Sequence, residues 1–264
     1  MASTHPLADI RLDALHRYPV KGLSPERIES TPLVAGAYFP GDRLFAVENG
    51  PSGFDPAAPT HQPKIKFLML MRNEALACLD TRYDPECAML TIRHGGAVAA
   101  RGDLATPEGR AAIESFLAGY LPDALRGPPR VLAAPEGFRF TDSPRGFVSL
   151  LNLASVAAVE DMTGAAVDPL RFRANLHLTG LAPWAELDLV GRTLTTQSGL
   201  SLRILKRTER CAATNVDPAT GIRDLAIPHT LSRHLGHTDC GIYAEVLDGG
   251  TLRVGDTMTV AAIA

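Results

Sequence analysis

Short extended segments broken by turn residues recur along most of this chain, and that rhythm constrains its fold more than any other feature. The first part holds "DIRLDALHRYPV" (residues 9–20), "RIESTPLVA" (27–35) and "RLFAVEN" (43–49), the last following the turn "FPGD". The last part holds "RFRANLHL" (171–178), "LVGRTLTT" (189–196), "LSLRILKR" (200–207) and "GIYAEVLDGGTLRVGDTMTVA" (241–261). Many short strands separated by turns predict a barrel or a sandwich. In the final segment, Asp248, Gly249 and Gly250 are residues that tolerate positive φ, and they predict a tight hairpin.

Two segments read as helices. Thr106 can cap, Pro107 suits the first helical position, and Ile113, Phe116, Leu117 and Tyr120 share one face before Pro122. The second spans Leu153 to Met162, with Asn152 as cap and Gly164 as stop. "RGPPR", Arg126 to Arg130, interrupts both periodicities and predicts a linker or domain edge between residues 1–125 and 126–264. Gly50 to Pro63, "GPSGFDPAAPTHQP", reads as a long loop, functional or mobile. The expected class is mainly β with some α.

Composition removes several functions. At 264 residues the chain can bury a sizeable core, and with 45% hydrophobic residues and 21% charged ones no long disordered stretch is expected. A net charge of −3 offers no global attraction for nucleic acid or an anionic membrane. The most apolar windows, "KFLMLM" and "LLNLASVAAV", are too short or too mixed to span a bilayer. The N-terminus lacks a cationic segment followed by an apolar run, so a cytoplasmic protein without a leader is expected. Four irregularly spaced cysteines argue against a disulfide framework.

One of those cysteines, Cys211, follows Lys206, Arg207 and Arg210 and precedes the turn "VDPATG". Nearby positive charge favours a thiolate. Four readings stand on local sequence: a buried structural thiol, a nucleophile without an identified base, a member of a metal cluster, or a soft ligand to a transition metal carried by an anionic cofactor. "HLGHTDC" places His234, His237 and Cys240 at zinc-like spacing, but three ligands that close without a distant pair favour ordinary surface-loop residues.

Six segments in order, "YPVKGL" (18–23), "GDRLFAVENG" (41–50), "RFRANLHLTG" (171–180), "PWAELDLVGRTL" (183–194), "RCAATNVDPATG" (210–221) and "GGTLRVGDTM" (249–258), resemble the landmarks of MOSC proteins. These are the molybdenum cofactor sulfurase C-terminal-like proteins, here with the associated N-terminal β-barrel-like domain, as in the mitochondrial amidoxime-reducing component. The resemblance covers nearly the whole chain. It implies a MOSC β-barrel domain at 126–264 packed against a smaller N-terminal β-rich domain at 1–125, with the cofactor in the cleft between them.

The resemblance also implies roles. Cys211 takes the place of the cysteine that ligates molybdenum and would be the catalytic and metal-binding residue. Lys21, Arg43 and Arg173 take the places of cations that line the pterin and its phosphate, with Asn175 and Arg210 as neighbours. Relatives present small hydroxyl residues where this chain has "PRGFVSLLNLAS" (144–155), which puts forward Ser149 and Asn152. Relatives often carry serine where Gly22 stands. Bland alternatives accompany these roles: Lys21 as a turn lysine, Arg43 as a surface strand charge, and Arg173 as one of a solvent-facing pair with Arg171. Asp217 is expected to shape its turn with Pro218 and Gly221, and Trp184 to anchor packing. A family-level association with pyridoxal phosphate binding comes with the same resemblance.

The function implied is a molybdenum-cofactor reductase that removes oxygen from N-hydroxylated small molecules such as amidoximes. No cysteine spacing suits an iron–sulfur cluster and no glycine-rich fingerprint follows a strand, so electrons are expected from a separate redox protein. The alternative is a non-catalytic carrier or sensor of the cofactor or of sulfur, and a third is a metal-free structural protein that keeps the fold.

Overall fold

The computed structural model describes residues 9–143 and 148–260. The beginning of the segment "PRGFVSLLNLAS", residues 144–147, lies outside them.

In chain order the elements are β1 (Ile10–Arg17), β2 (Glu26–Ile28), β3 (Ser30–Leu33), β4 (Phe45–Asn49), β5 (Asp80–Asp84), β6 (Met89–His94) and β7 (Ala97–Asp103). Helix α1 (Pro107–Tyr120), β8 (Pro129–Ala133), β9 (Val148–Asn152), α2 (Leu153–Thr163), β10 (Leu176–Thr179), β11 (Thr193–Thr196) and β12 (Ser201–Glu209) come next. Helix α3 (Ile227–Leu235), β13 (Asp239–Asp248), β14 (Gly250–Arg253) and β15 (Thr257–Val260) complete the set.

Seven strands close a barrel in the order β10, β9, β13, β12, β11, β15, β1, with β1 pairing back onto β10 and β2 added outside β1. Closure removes free edges. β9 and β10 are parallel, which a short turn cannot achieve, and α2 is part of the crossover between them. Inward side chains alternate along the strands: Ile10 and Leu12 on β1, Leu176 and Leu178 on β10, Leu202 and Ile204 on β12, all within one buried cluster. Each such side chain contributes about 1.5–3 kcal/mol on burial. The architecture is mainly β with some α, as expected.

The second unit pairs β4 with β8 and stacks β5, β6 and β7 as an antiparallel meander. Helix α1 covers it, burying Ile113 and Leu117 against Leu79, Leu90, Ile92 and Leu104. Thr106 caps this helix as expected, accepting a 3.1 Å bond from the Gly109 amide. Helix α2 also starts and stops where expected, with the Asn152 side chain accepting from the Ala154 amide and Gly164 left-handed at φ +68°.

Strands from both sides of residue 125 share sheets. β1 lies in the barrel beside β10 and β15, and β8 pairs with β4. "RGPPR" is accordingly not an open linker: the Arg126 amide donates to Asn49 at 2.7 Å, and Pro129 opens β8, a strand position that tolerates its missing donor.

Asp248–Gly250 does not make the tight hairpin that its sequence predicts. β13 and β14 are unpaired with each other, and β14 pairs with β3. Close approach explains the glycine better than turn chemistry does, because a Cβ on Gly249 would sit 2.8 Å from the Leu33 carbonyl oxygen. Helix α3 was not read from the sequence although it is the most amphipathic of the three, burying Ile227 and Leu231 on one face; Ala226 stands at its N-cap without a capping side chain, so no start signal marks it. Among the described residues no helix is long and apolar enough to cross a membrane.

Candidate functional site

A cavity of about 400 Å³ opens between the barrel and the N-terminal unit, lined from both. The chain segment after β1 supplies Lys21. Its backbone is pinned by a 2.8 Å bond from the Lys21 amide to the Phe45 carbonyl, and its ammonium donates to the Phe140 carbonyl at 3.0 Å and pairs with Asp142. Burial lowers the Lys21 pKa, and Asp142 only partly opposes this.

Arg43 and Arg173 meet across the interface. Both are non-glycine residues at positive φ, +47° and +53°, a backbone strain that the surroundings must hold in place. Asp42 holds the Arg43 guanidinium at 2.6 Å and accepts the Tyr18 amide at 2.7 Å. Arg43 also donates to the Arg173 carbonyl at 3.2 Å. Both guanidinium groups pack on the fully buried ring of Tyr18. Burial pushes the Tyr18 phenol up to about 12 despite Arg173 and Arg43. Burial and then the Arg43 charge pull Arg173 down to about 10. The Arg173 Nη2 is buried and has no hydrogen-bond partner among the described residues.

Arg210 is fixed along one edge, Nε donating to the Cys240 carbonyl at 2.6 Å and Nη1 to the Phe172 carbonyl at 2.8 Å. Its Nη2 is also a buried donor without a partner among the described residues. Asn175 and Ser149 lie on the wall and bond each other, Ser149 Oγ donating to Asn175 Oδ1 at 2.9 Å, while the Asn175 amide group reaches the His16 carbonyl at 3.2 Å.

Cys211 lines the same cavity, partly exposed, just before the 3-10 turn Ala212–Asn215. Its carbonyl accepts from the Thr214 amide at 3.1 Å and from the Thr214 hydroxyl at 3.0 Å. Lys64, at the end of the long proline-rich loop, lies 3.9 Å from Asp142. Burial lowers its pKa, but Asp142 and then the Cys211 sulfur raise it above the usual lysine value.

Of the candidates, Lys21, Arg43, Ser149, Arg173, Asn175, Arg210 and Cys211 converge on this cavity. Asn152 does not. It is fully buried behind the wall, donating to Glu186 at 2.9 Å and to the Ala182 carbonyl at 2.8 Å while capping α2. Arg171 is not solvent-facing, because residues 169–172 form a 3-10 turn rather than a strand. It is 3% exposed and donates to Asp224 at 2.7 and 2.8 Å and to Asp217 at 3.0 Å. Asp217 shapes its turn as expected, accepting from the Ala219 and Thr220 amides. Cys240 is a core residue of β13, not a loop residue, and burial pushes its thiol up to about 12; His234 is exposed.

Glycine at position 22 has a local reason. Its φ is +84°, and a Cβ there would lie 2.9 Å from the Leu68 carbonyl oxygen. Tyr18, Asp42, Lys64 and Asp142 were missed as site residues. Tyr18 and Asp42 sit inside "YPVKGL" and "FPGD", close to Lys21 and Arg43, whereas Asp142 has no local signature.

Residues 9–118 match the MOSC N-terminal beta barrel domain, and residues 138–259 match the MOSC domain. Among solved structures, the YuaD protein from Bacillus subtilis is similar at 12% identity, with 97% of each chain covered and a TM-score of 0.45. YiiM from Geobacillus stearothermophilus is similar at 18% identity over 44% of this chain and 54% of that one, with a TM-score of 0.34. A search of curated proteins finds no match. With its N-terminal barrel domain followed by a MOSC domain, the chain belongs to the MOSC proteins, a family associated with molybdenum-cofactor binding.

Proposed function

We propose that the cleft binds the molybdenum cofactor and that the protein reduces N-hydroxylated compounds such as amidoximes. The observation that carries this reading is a set of buried guanidinium nitrogens, Arg171 Nε, Arg173 Nη2 and Arg210 Nη2, that find no partner among the described residues, in the cavity that Cys211 also lines. Buried donors without partners are costly, and an anionic ligand would satisfy them. Among the described residues, eight cationic side chains line the cavity against three acidic ones, Asp42, Asp142 and Glu209. That excess suits a ligand carrying a phosphate and dithiolene sulfurs, and planar guanidinium groups suit phosphate.

In this reading Arg173 and Arg210 hold the phosphate, with Lys21 and Arg43 adding positive charge. Cys211 supplies a thiolate to the metal, a ligand type that soft transition-metal centres accept. When bound, the cofactor supplies two-electron oxygen-atom chemistry. The net reaction takes an N–OH compound, two electrons and two protons to the N–H compound and water. A separate redox protein delivers the electrons. Asn175 and Ser149, bonded to each other, keep the wall beside the ligand rigid.

The test is molybdenum and pterin analysis of protein purified from a cofactor-competent host, followed by oxidation of a reduced viologen dye on addition of an amidoxime. Cys211→Ala is expected to lose the metal and the dye oxidation together. Retention of both by that variant would overturn the assignment, and loaded wild-type protein that never oxidises the dye would identify a carrier instead.

A further inference from the structure

The loop that begins at Cys211 is braced by two arginines from different directions. Arg171 holds its far side through Asp217 and Asp224. Arg223 lies within the loop's end and turns back over it. Its Nη1 donates to the Ala212 carbonyl at 3.1 Å. Its Nη2 donates to the carbonyls of Leu70 at 3.0 Å and Met71 at 2.8 Å, and to Glu74 at 2.9 Å.

Those acceptors reach both sides of one cavity, Leu70 and Met71 directly and Ala212 through its chain neighbours Cys211 and Ala213. Leu70 and Met71 line it from the N-terminal unit, while Cys211, Ala213 and Thr214 line it from the barrel side. The Arg223 backbone is itself fixed, pairing with Val216 across the loop. A planar guanidinium can serve acceptors on both sides at once, which a lysine ammonium on a flexible stem does not reproduce. Nothing in the local sequence marks this residue, since its partners lie about 150 positions away.

We propose that Arg223 is a positioning residue for Cys211: by gripping the Ala212 carbonyl and the Leu70–Met71 carbonyls together, it sets where the thiol sits and how wide the cleft opens beside it. This rests on the reading of Cys211 as the metal ligand. The coupling of the two walls does not depend on whether the cofactor is bound.

The test uses full-length Arg223→Met and Arg223→Lys, with Cys211→Ser as a reference. In cofactor-free protein, amide hydrogen exchange is expected to quicken by about tenfold or more in residues 211–216 and 69–73 together, for both Arg223 variants. In molybdenum-loaded protein, the Mo(V) electron paramagnetic resonance spectrum of Arg223→Met is expected to shift from that of wild type. Faster exchange at one wall only, or at neither, would overturn the proposal, as would a wild-type spectrum in a loaded Arg223→Met protein. If Cys211→Ser also leaves the spectrum unchanged, the ligand assignment falls and the exchange result alone decides the clamp. Should Arg223→Met fail to fold, Arg223→Lys decides by the same two readouts.

Discussion

Arg173 holds its guanidinium 4.4 Å from the centroid of the Tyr18 ring. Arg43 lies at the same distance from that ring, so one neutral aromatic side chain supports two like charges drawn from different parts of the chain. Desolvated cation–π contacts are worth about 2 kcal/mol each. The Tyr18 hydroxyl adds only a long 3.4 Å bond to the Ala174 carbonyl.

Tyr18→Phe is therefore expected to stay within about 1 kcal/mol of wild type, whereas Tyr18→Leu should lose about 2–4 kcal/mol. Tyr18→Leu should also bind inorganic phosphate more weakly, because Arg173 loses the surface that aims it. Urea unfolding and phosphate titration check both variants. Equal behaviour of Phe and Leu at this position would refute the role of the ring.

Asn152 separates packing from binding. Its removal leaves Glu186 with fewer donors and α2 without its side-chain cap. Asn152→Ala is expected to lose about 2–4 kcal/mol of stability, while molybdenum bound per folded molecule stays at the wild-type level. Metal analysis of the folded fraction checks this; a selective loss of metal would return Asn152 to the site.

Much of the fold was legible because its signals are local. Thr106 and Pro107 announce α1, Asn152 and Gly164 bound α2, and alternation announces the barrel strands. What failed depends on distant neighbours. The Asp248–Gly250 segment carries hairpin residues, yet β14 finds its partner in β3, more than two hundred positions earlier. The site was legible only through the order of its motifs. Cations adjacent to Cys211 in sequence are partly engaged elsewhere, with Arg207 facing Asp188, Asp239 and the Leu187 carbonyl. Lys64, whose charge the Cys211 sulfur favours, comes instead from the end of the proline-rich loop. Alternation made Arg171 and Arg173 look equivalent, and the 3-10 turn separates their roles.

Gly22 gives a backbone test. A side chain there meets both a positive φ and the Leu68 carbonyl. Gly22→Ser should cost about 1–3 kcal/mol. Thermal unfolding measures it, and a neutral or stabilising result would show that the turn relaxes at little cost.

The last prediction concerns acid stability. His16 on β1 and His177 on β10 lie in ring contact, centroids 4.6 Å apart, and each has a buried nitrogen without a partner among the described residues. Burial, reinforced by Arg27 and only partly countered by Asp168, pulls His16 down to about 4. Burial, His16, Arg27 and Arg210 pull His177 down to about 3. Both values lie below the 6.5 of an unfolded histidine, so between those limits the unfolded chain binds more protons than the folded one. The stabilisation is complete above pH 6.5 and is lost as pH falls towards 4 and 3, at up to about 1.4 kcal/mol per pH unit for each histidine. Urea midpoints for wild type and His177→Gln at pH 7, 6 and 5 test this in a window above most carboxylate titration. The wild-type midpoint should fall more steeply than that of the variant. Identical slopes would mean that the pair is not the source of the acid sensitivity.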